Sequence, residues 1–159
     1  MAIYDTNNLN RITTEAGGLC DNSHNNINHR INGCEDGVLK FGMGVVGTEE
    51  GTQIKLPESG ATIETFEGIT VNCCTERKDK IGKDALKKNA TVGVLTNGQV
   101  CVRIKEDVIP ACGDNLYLIT EGEYAGIFTN KAENGAIAIN GTFIGIKSAD
   151  DTAPVMIVG

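Results

Sequence analysis

Thr91-Val92-Gly93-Val94-Leu95-Thr96-Asn97-Gly98-Gln99-Val100-Cys101-Val102-Arg103-Ile104-Lys105 decides the fold class. From Val100 to Lys105 apolar and polar residues alternate, the period of a half-buried β-strand. Val100, Val102 and Ile104 are expected to face a core, with Cys101, Arg103 and Lys105 facing solvent or a partner. Asn97–Gly98 divides the stretch into two expected strands, Thr91–Thr96 and Gln99–Lys105. Asn-Gly supplies the positive φ values of a tight type I′ turn, so the stretch reads as a hairpin. A second Asn-Gly pair, Asn140–Gly141, marks another, and Glu121–Gly122 a third turn.

Working outward, short apolar runs recur from Val38 onward, separated by Gly, Asn and Asp. They predict strands at Leu39–Val46, Thr52–Leu56, Thr65–Cys73, Leu116–Thr120, Tyr124–Phe128, Gly135–Ile139, Thr142–Ser148 and Pro154–Val158 as well. Lys78–Asn89 reads as a short helix or a charged loop, with Asp79 as a cap and Gly82 as an interruption. Many short strands with closely spaced turns specify an all-β domain, an antiparallel β-barrel or a jelly-roll-like β-sandwich. Hydrophobic residues make up 40% of the chain and Trp is absent, so its core must be built from aliphatic side chains.

Residues 1–36 read differently. They hold eight asparagines and scattered apolar residues without a clear period. So polar a segment cannot offset its ordering entropy by burial. It is expected to be an extended N-terminal arm that orders on a neighbour, with the β domain occupying residues 37–159. Ile3, Tyr4, Leu9, Ile12 and Leu19 are the candidate apolar anchors of such an arm.

Cys20-x3-His24-x4-His29-x4-Cys34 is the one set with metal-ligating chemistry, since zinc takes such nitrogen and sulfur donors. Its spacing matches no standard finger, and the expectation is that the chain carries no metal or other cofactor. Six cysteines, including the vicinal Cys73–Cys74, invite a disulfide framework only in a small exported chain. Met1–Arg11 lacks the basic-then-apolar order of a signal peptide. No apolar run approaches the ~20 residues of a membrane helix. The chain is therefore expected to stay in the cytoplasm where it is made, with reduced thiols, until assembly or lysis.

A formal net charge of −7 argues against direct nucleic-acid binding. One basic stretch runs against this background: Arg77, Lys78, Lys80, Lys83, Lys87 and Lys88, a candidate docking surface for an acidic neighbour. The glycines form no phosphate cradle and the carboxylates no preferred pair, so the sequence points to no catalytic constellation.

Four stretches together resemble the structural cement, or head-decoration, proteins of tailed bacteriophages. They are Phe41-Gly42-Met43-Gly44-Val45-Val46 followed by Ile54-Lys55-Leu56-Pro57, Phe66-Glu67-Gly68-Ile69-Thr70-Val71, the Val92–Val102 run, and Cys112-Gly113-Asp114-Asn115-Leu116-Tyr117. Gly126-Ile127-Phe128-Thr129, Gly145-Ile146 and Val155-Met156-Ile157-Val158 are similar to the family's closing strands. The resemblance implies a non-enzymatic virion subunit on the capsid surface, binding the major capsid protein and itself as a dimer or trimer, with no nucleic-acid or membrane partner. In the Gly113–Asp114 element, glycine is expected to admit a special backbone angle and aspartate to bond following amides. Other readings of the same strands are a tail, baseplate or host-recognition domain, or a cellular ligand-binding barrel.

Overall fold

Nine strands form among the described residues of the computed structural model, which are 15–20, 24–72, 86–133 and 135–159. They are β1 (Asn26–Asn32), β2 (Gly44–Gly47), β3 (Gln53–Lys55), β4 (Phe66–Val71), β5 (Thr91–Arg103), β6 (Asn115–Ile119), β7 (Phe128–Thr129), β8 (Ala136–Phe143) and β9 (Thr152–Ile157). The hydrogen-bonded order is β1-β3-β2-β4-β5-β9-β8-β6-β7, and β1 also pairs with β5. That extra pairing closes the first five strands into a barrel. The remaining strands extend from β5, and a parallel bridge from Ile104 to Phe128 brings their far end back beside it. The all-β domain expected from the short strands forms, and of the two expected architectures, barrel or sandwich, it is a closed barrel with extra strands. Its pairing is antiparallel except between β1 and β3, where Ile31 lies opposite Gln53 in parallel register.

The two expected Asn-Gly hairpins do not form. β5 runs without a break from Thr91 to Arg103 and β8 from Ala136 to Phe143. Each Asn-Gly pair instead marks the point where a long strand takes up β9 as a partner. Up to Asn97, β5 pairs with β1 and β4; from Gly98 on it pairs with β9. β8 pairs with β6 through Ala136–Ala138 and again at Thr142, and with β9 from Gly141. Gly98 and Gly141 both lie opposite Ile157, one on each side of β9.

Steric demand explains the glycines. Gly98 has φ +139°, and a Cβ there would sit 2.2 Å from Asn25 Oδ1. A Cβ on Gly141 would meet the Met156 carbonyl oxygen at 2.4 Å. Glycine inside a strand thus marks a barrel corner with close backbone approach. The third turn holds: Glu121–Gly122 lies between β6 and β7, which pair antiparallel, with a single 3-10 turn at Gly122–Tyr124. Of the expected Tyr124–Phe128 strand only Phe128 lies in a strand, because the chain is still turning at Tyr124.

The corner also reassigns the faces of β5. Val92 and Val94 join Val45 and Ile54 inside the closed barrel. A register shift between Asn26 and Ile27 skips Thr96, since Asn26 lies opposite Asn97 and Ile27 opposite Leu95. Such a bulge moves side chains to the other face. Beyond it, Val100, Val102 and Ile104 enter a second, larger core with Leu116, Leu118, Phe128, Phe143 and Val155. Ile69, Val71 and Leu95, on the outer face of β4–β5, line the same core.

β1 lies inside the segment that composition marked as an arm. It pairs with β5 from Asn26 to Ile31, and Asn32 is fully buried. Composition missed this strand because its burial is polar. The Asn32 side chain donates to the Lys87 carbonyl (2.8 Å) and accepts from the Cys34 amide (2.9 Å). Its backbone exchanges bonds with Asn89 and Ala90. Four satisfied groups let an asparagine occupy a site usually left to aliphatics. Residues 1–14 and most of the expected Lys78–Asn89 helix lie outside the described residues.

Candidate functional site

The candidate residues fall into three groups. Of the apolar anchors, Ile3, Tyr4, Leu9 and Ile12 lie outside the described residues. Leu19 packs against the larger core and bridges to Val100, so its side chain is engaged within its own fold. Of the basic stretch, Arg77, Lys78, Lys80 and Lys83 lie outside the described residues. Lys88 is paired at the surface of its own fold: its Nζ is 2.6 Å from Glu35 Oε1, and its amide donates to Asp36 Oδ1 at 2.8 Å. The Glu35 carboxylate holds the Lys88 ammonium above its usual pKa. The Lys87 carbonyl accepts from Asn32.

The four candidate metal ligands do not come together. Cys20 lies beside Cys101, with their sulfurs 3.6 Å apart. Cys34 packs on the barrel core, where burial pushes its thiol pKa up. His29 projects exposed from β1, and His24 is exposed with φ +56°. Among the described residues, no three His, Cys, Asp or Glu side chains are grouped so as to hold a metal ion.

Surface features that sequence reasoning missed are apolar. Ile109 is 82% exposed, Ile146 58% and Val158 56%. Val158 and Ile63 rim a groove of about 360 Å³, with Phe66, Ile139 and Ile157 in its wall. Ile109 lies in a loop, where period two assigns no face; Ile146 and Val158 lie in the expected strands Thr142–Ser148 and Pro154–Val158, which end earlier, at Phe143 and Ile157.

The Gly113–Asp114 element is a turn, but Asp114 bonds backward. Its Oδ2 accepts from the Ala111 amide and from Asn130 Nδ2, each at 2.9 Å. The Gly113 amide donates to the Phe143 carbonyl, and the Phe143 amide to the Asp114 carbonyl. The Ala111 amide, then Asn130, hold the Asp114 carboxyl below its usual 3.8. A depressed folded-state value contributes stability above the ordinary aspartate range and loses it as pH falls through the folded value. Asp114→Asn is therefore expected to lower the thermal midpoint at pH 7. The gap to the parent protein should close as pH falls below 3.8. Melting both proteins from pH 7 downward checks this, and a gap independent of pH would refute it.

A family model for the structural cement protein (E217 gp24/Pam3 gp6) matches residues 4–158. The chain belongs to this phage family. Its role is accordingly that of a capsid cement or decoration subunit. The match begins near the N-terminus, so the family embraces the segment before Val38 that the glycine-anchored motifs left unexplained. Among solved structures, a chain of "The capsid of Myoviridae Phage XM1" shares the cement protein's fold. The TM-score is 0.72 at 20% identity, covering 91% of this chain and 89% of that one. No curated protein matches the cement protein's sequence.

Proposed function

We propose that this cement protein works by binding alone, without catalysis, on the outer surface of the virion. It is made in the host cytoplasm and holds the major capsid protein lattice and further copies of itself, as a dimer or trimer. It needs no cofactor and no direct contact with nucleic acid or membrane. The family match over residues 4–158 carries the reading. A subunit that binds assembled shell better than free capsomers stabilises the shell by mass action.

Barrel closure supports a particular division of labour. Pairing β1 with β5 uses up strand edges that would otherwise accept a partner strand. Contact then falls to loops, to exposed side chains such as Ile109 and Ile146, and to residues 1–14. Ile3, Tyr4, Leu9 and Ile12 act as single apolar anchors there. Arg77, Lys78, Lys80 and Lys83 supply charge complementarity to an acidic neighbour.

Co-sedimentation with undecorated capsids tests this. Full-length protein should pellet with capsids. A variant lacking residues 2–14 should bind roughly tenfold or more weakly, because each lattice copy loses its second point of attachment. Lys78→Glu with Lys80→Glu and Lys83→Glu should weaken binding less, and the difference should fade with salt. Equal binding by the truncated protein would shift the contact to the loops. Failure of the full chain to pellet would remove the capsid-binding reading itself.

A further inference from the structure

Residues 17–20 lie along β5 just beyond its corner. Leu19 bridges antiparallel to Val100, the Cys20 amide donates to the Gln99 carbonyl, and the Cys101 amide donates to the Gly18 carbonyl. The Gly17 amide donates to the Cys101 carbonyl at 2.8 Å. This pairing sets the Cys20 and Cys101 side chains on one face, with Sγ atoms 3.6 Å apart. Cys101 is 1% exposed, covered by a segment that the alternation of β5 would have left off that face. Cys20 is half-buried, the more exposed of the two.

We propose that Cys20 and Cys101 form a paired oxidation site, which clamps the root of the N-terminal segment onto β5 once the protein meets a low-molecular-weight disulfide. The Cys20 sulfur attacks the small disulfide; its S–S bond breaks, a mixed disulfide forms on Cys20, and one small thiol leaves with the Cys20 proton. The Cys101 sulfur then attacks Cys20 Sγ. The Cys20–Cys101 bond forms and a second small thiol leaves with the Cys101 proton. Two protein thiols are oxidised and one small disulfide is reduced. From sulfurs at 3.6 Å, side-chain rotation with a small shift of residues 17–20 along β5 would reach the ~2 Å bond. A reducing cytosol keeps the pair open, and release by lysis exposes it to oxidant. The bond would close a loop between positions 81 apart. It would pin residues 17–20 to β5.

The test uses full-length protein alone, so its failure is distinguishable from failure of the capsid reading. Protein purified with reductant is exchanged into oxidised glutathione at neutral pH, then mapped by non-reducing peptide mass spectrometry and melted. The expected result is a Cys20–Cys101 linked peptide, loss of two hydrogens from the intact mass, and a thermal midpoint higher by about 10 °C that reductant reverses. Cys20→Ser, at the half-buried position, should fold and lose both the cross-link and the shift. Cys101→Ser should stop at the Cys20–glutathione mixed disulfide. Persistence of that mixed disulfide in the parent protein would overturn the proposal. So would pairing through Cys34, Cys73, Cys74 or Cys112, or a cross-link that leaves the midpoint unchanged.

Discussion

Deleting residues 2–34 is expected to leave an unfolded chain, whereas deleting residues 2–14 leaves the barrel intact. The longer deletion removes β1, and β1 is what closes the barrel. Its pairing with β5 runs from Asn26 to Ile31, and it also pairs with β3. Without it, the inner faces of Val92 and Val94 and the ends of β3 open to water. Ile27 no longer covers the larger core. Asn32 leaves with the strand, and the Lys87 and Ala90 carbonyls and the Asn89 amide lose their partner. Each buried polar group left unpaired costs ~1–3 kcal/mol. Ala90 is buried, so its carbonyl bears that cost, and the opened barrel core adds to it, against a total stability of ~5–15 kcal/mol for a domain of this size. Circular dichroism and urea titration check the pair of deletions: a cooperative transition for the short one, none for the long one. A cooperative transition in the 2–34 deletion would show that β1 is dispensable.

Phe128→Ala is expected to destabilise the protein by about 3–5 kcal/mol, the usual cost of truncating a buried phenylalanine. Phe128 is fully buried and, with Phe143, has the largest side chain of its core. Its ring meets Gly44, where an added Cβ would lie 2.9 Å from Cζ. Its backbone also accepts from the Lys105 amide (3.2 Å), at the bridge that returns β7 to the end of β5. The residue therefore joins the barrel to the strands beyond it. The cavity forms where β2, β6 and the end of β5 converge, so little nearby chain is free to collapse into it. A urea midpoint lowered with an unchanged slope is the expected reading. A loss under ~1 kcal/mol would mean that Leu118 and its neighbours close the gap.

Much of the chain was legible before its coordinates. The period of two in Val100–Ile104 is a property of neighbouring residues, so those three core positions could be read without a partner strand. The family motifs were legible for a similar reason, since short glycine-anchored runs carry local backbone demands. The site was less legible. Lys88 looked like part of a free basic face, yet it is tied to Glu35 across 53 positions of sequence. Leu19 looked like an arm anchor and packs on its own core. Long-range pairs of this kind leave no local trace.

The sequence by itself determined that the chain is all-β, that its core is aliphatic, and which motifs place it beside the phage cement proteins. Alternation and composition suffice for that, because strand periodicity and turn chemistry act within a few residues. Only the tertiary structure decided what the Asn-Gly pairs do. Their backbone freedom serves equally a chain that folds back and a strand that turns a corner. The choice belongs to β9, whose Ile157 sits between Gly98 and Gly141 and draws both strands straight on. The Asn-rich segment was decided in the same way. Asn32 is buried because Lys87 and the Cys34 amide stand ready to bond it, and the partner at Lys87 is 55 positions away.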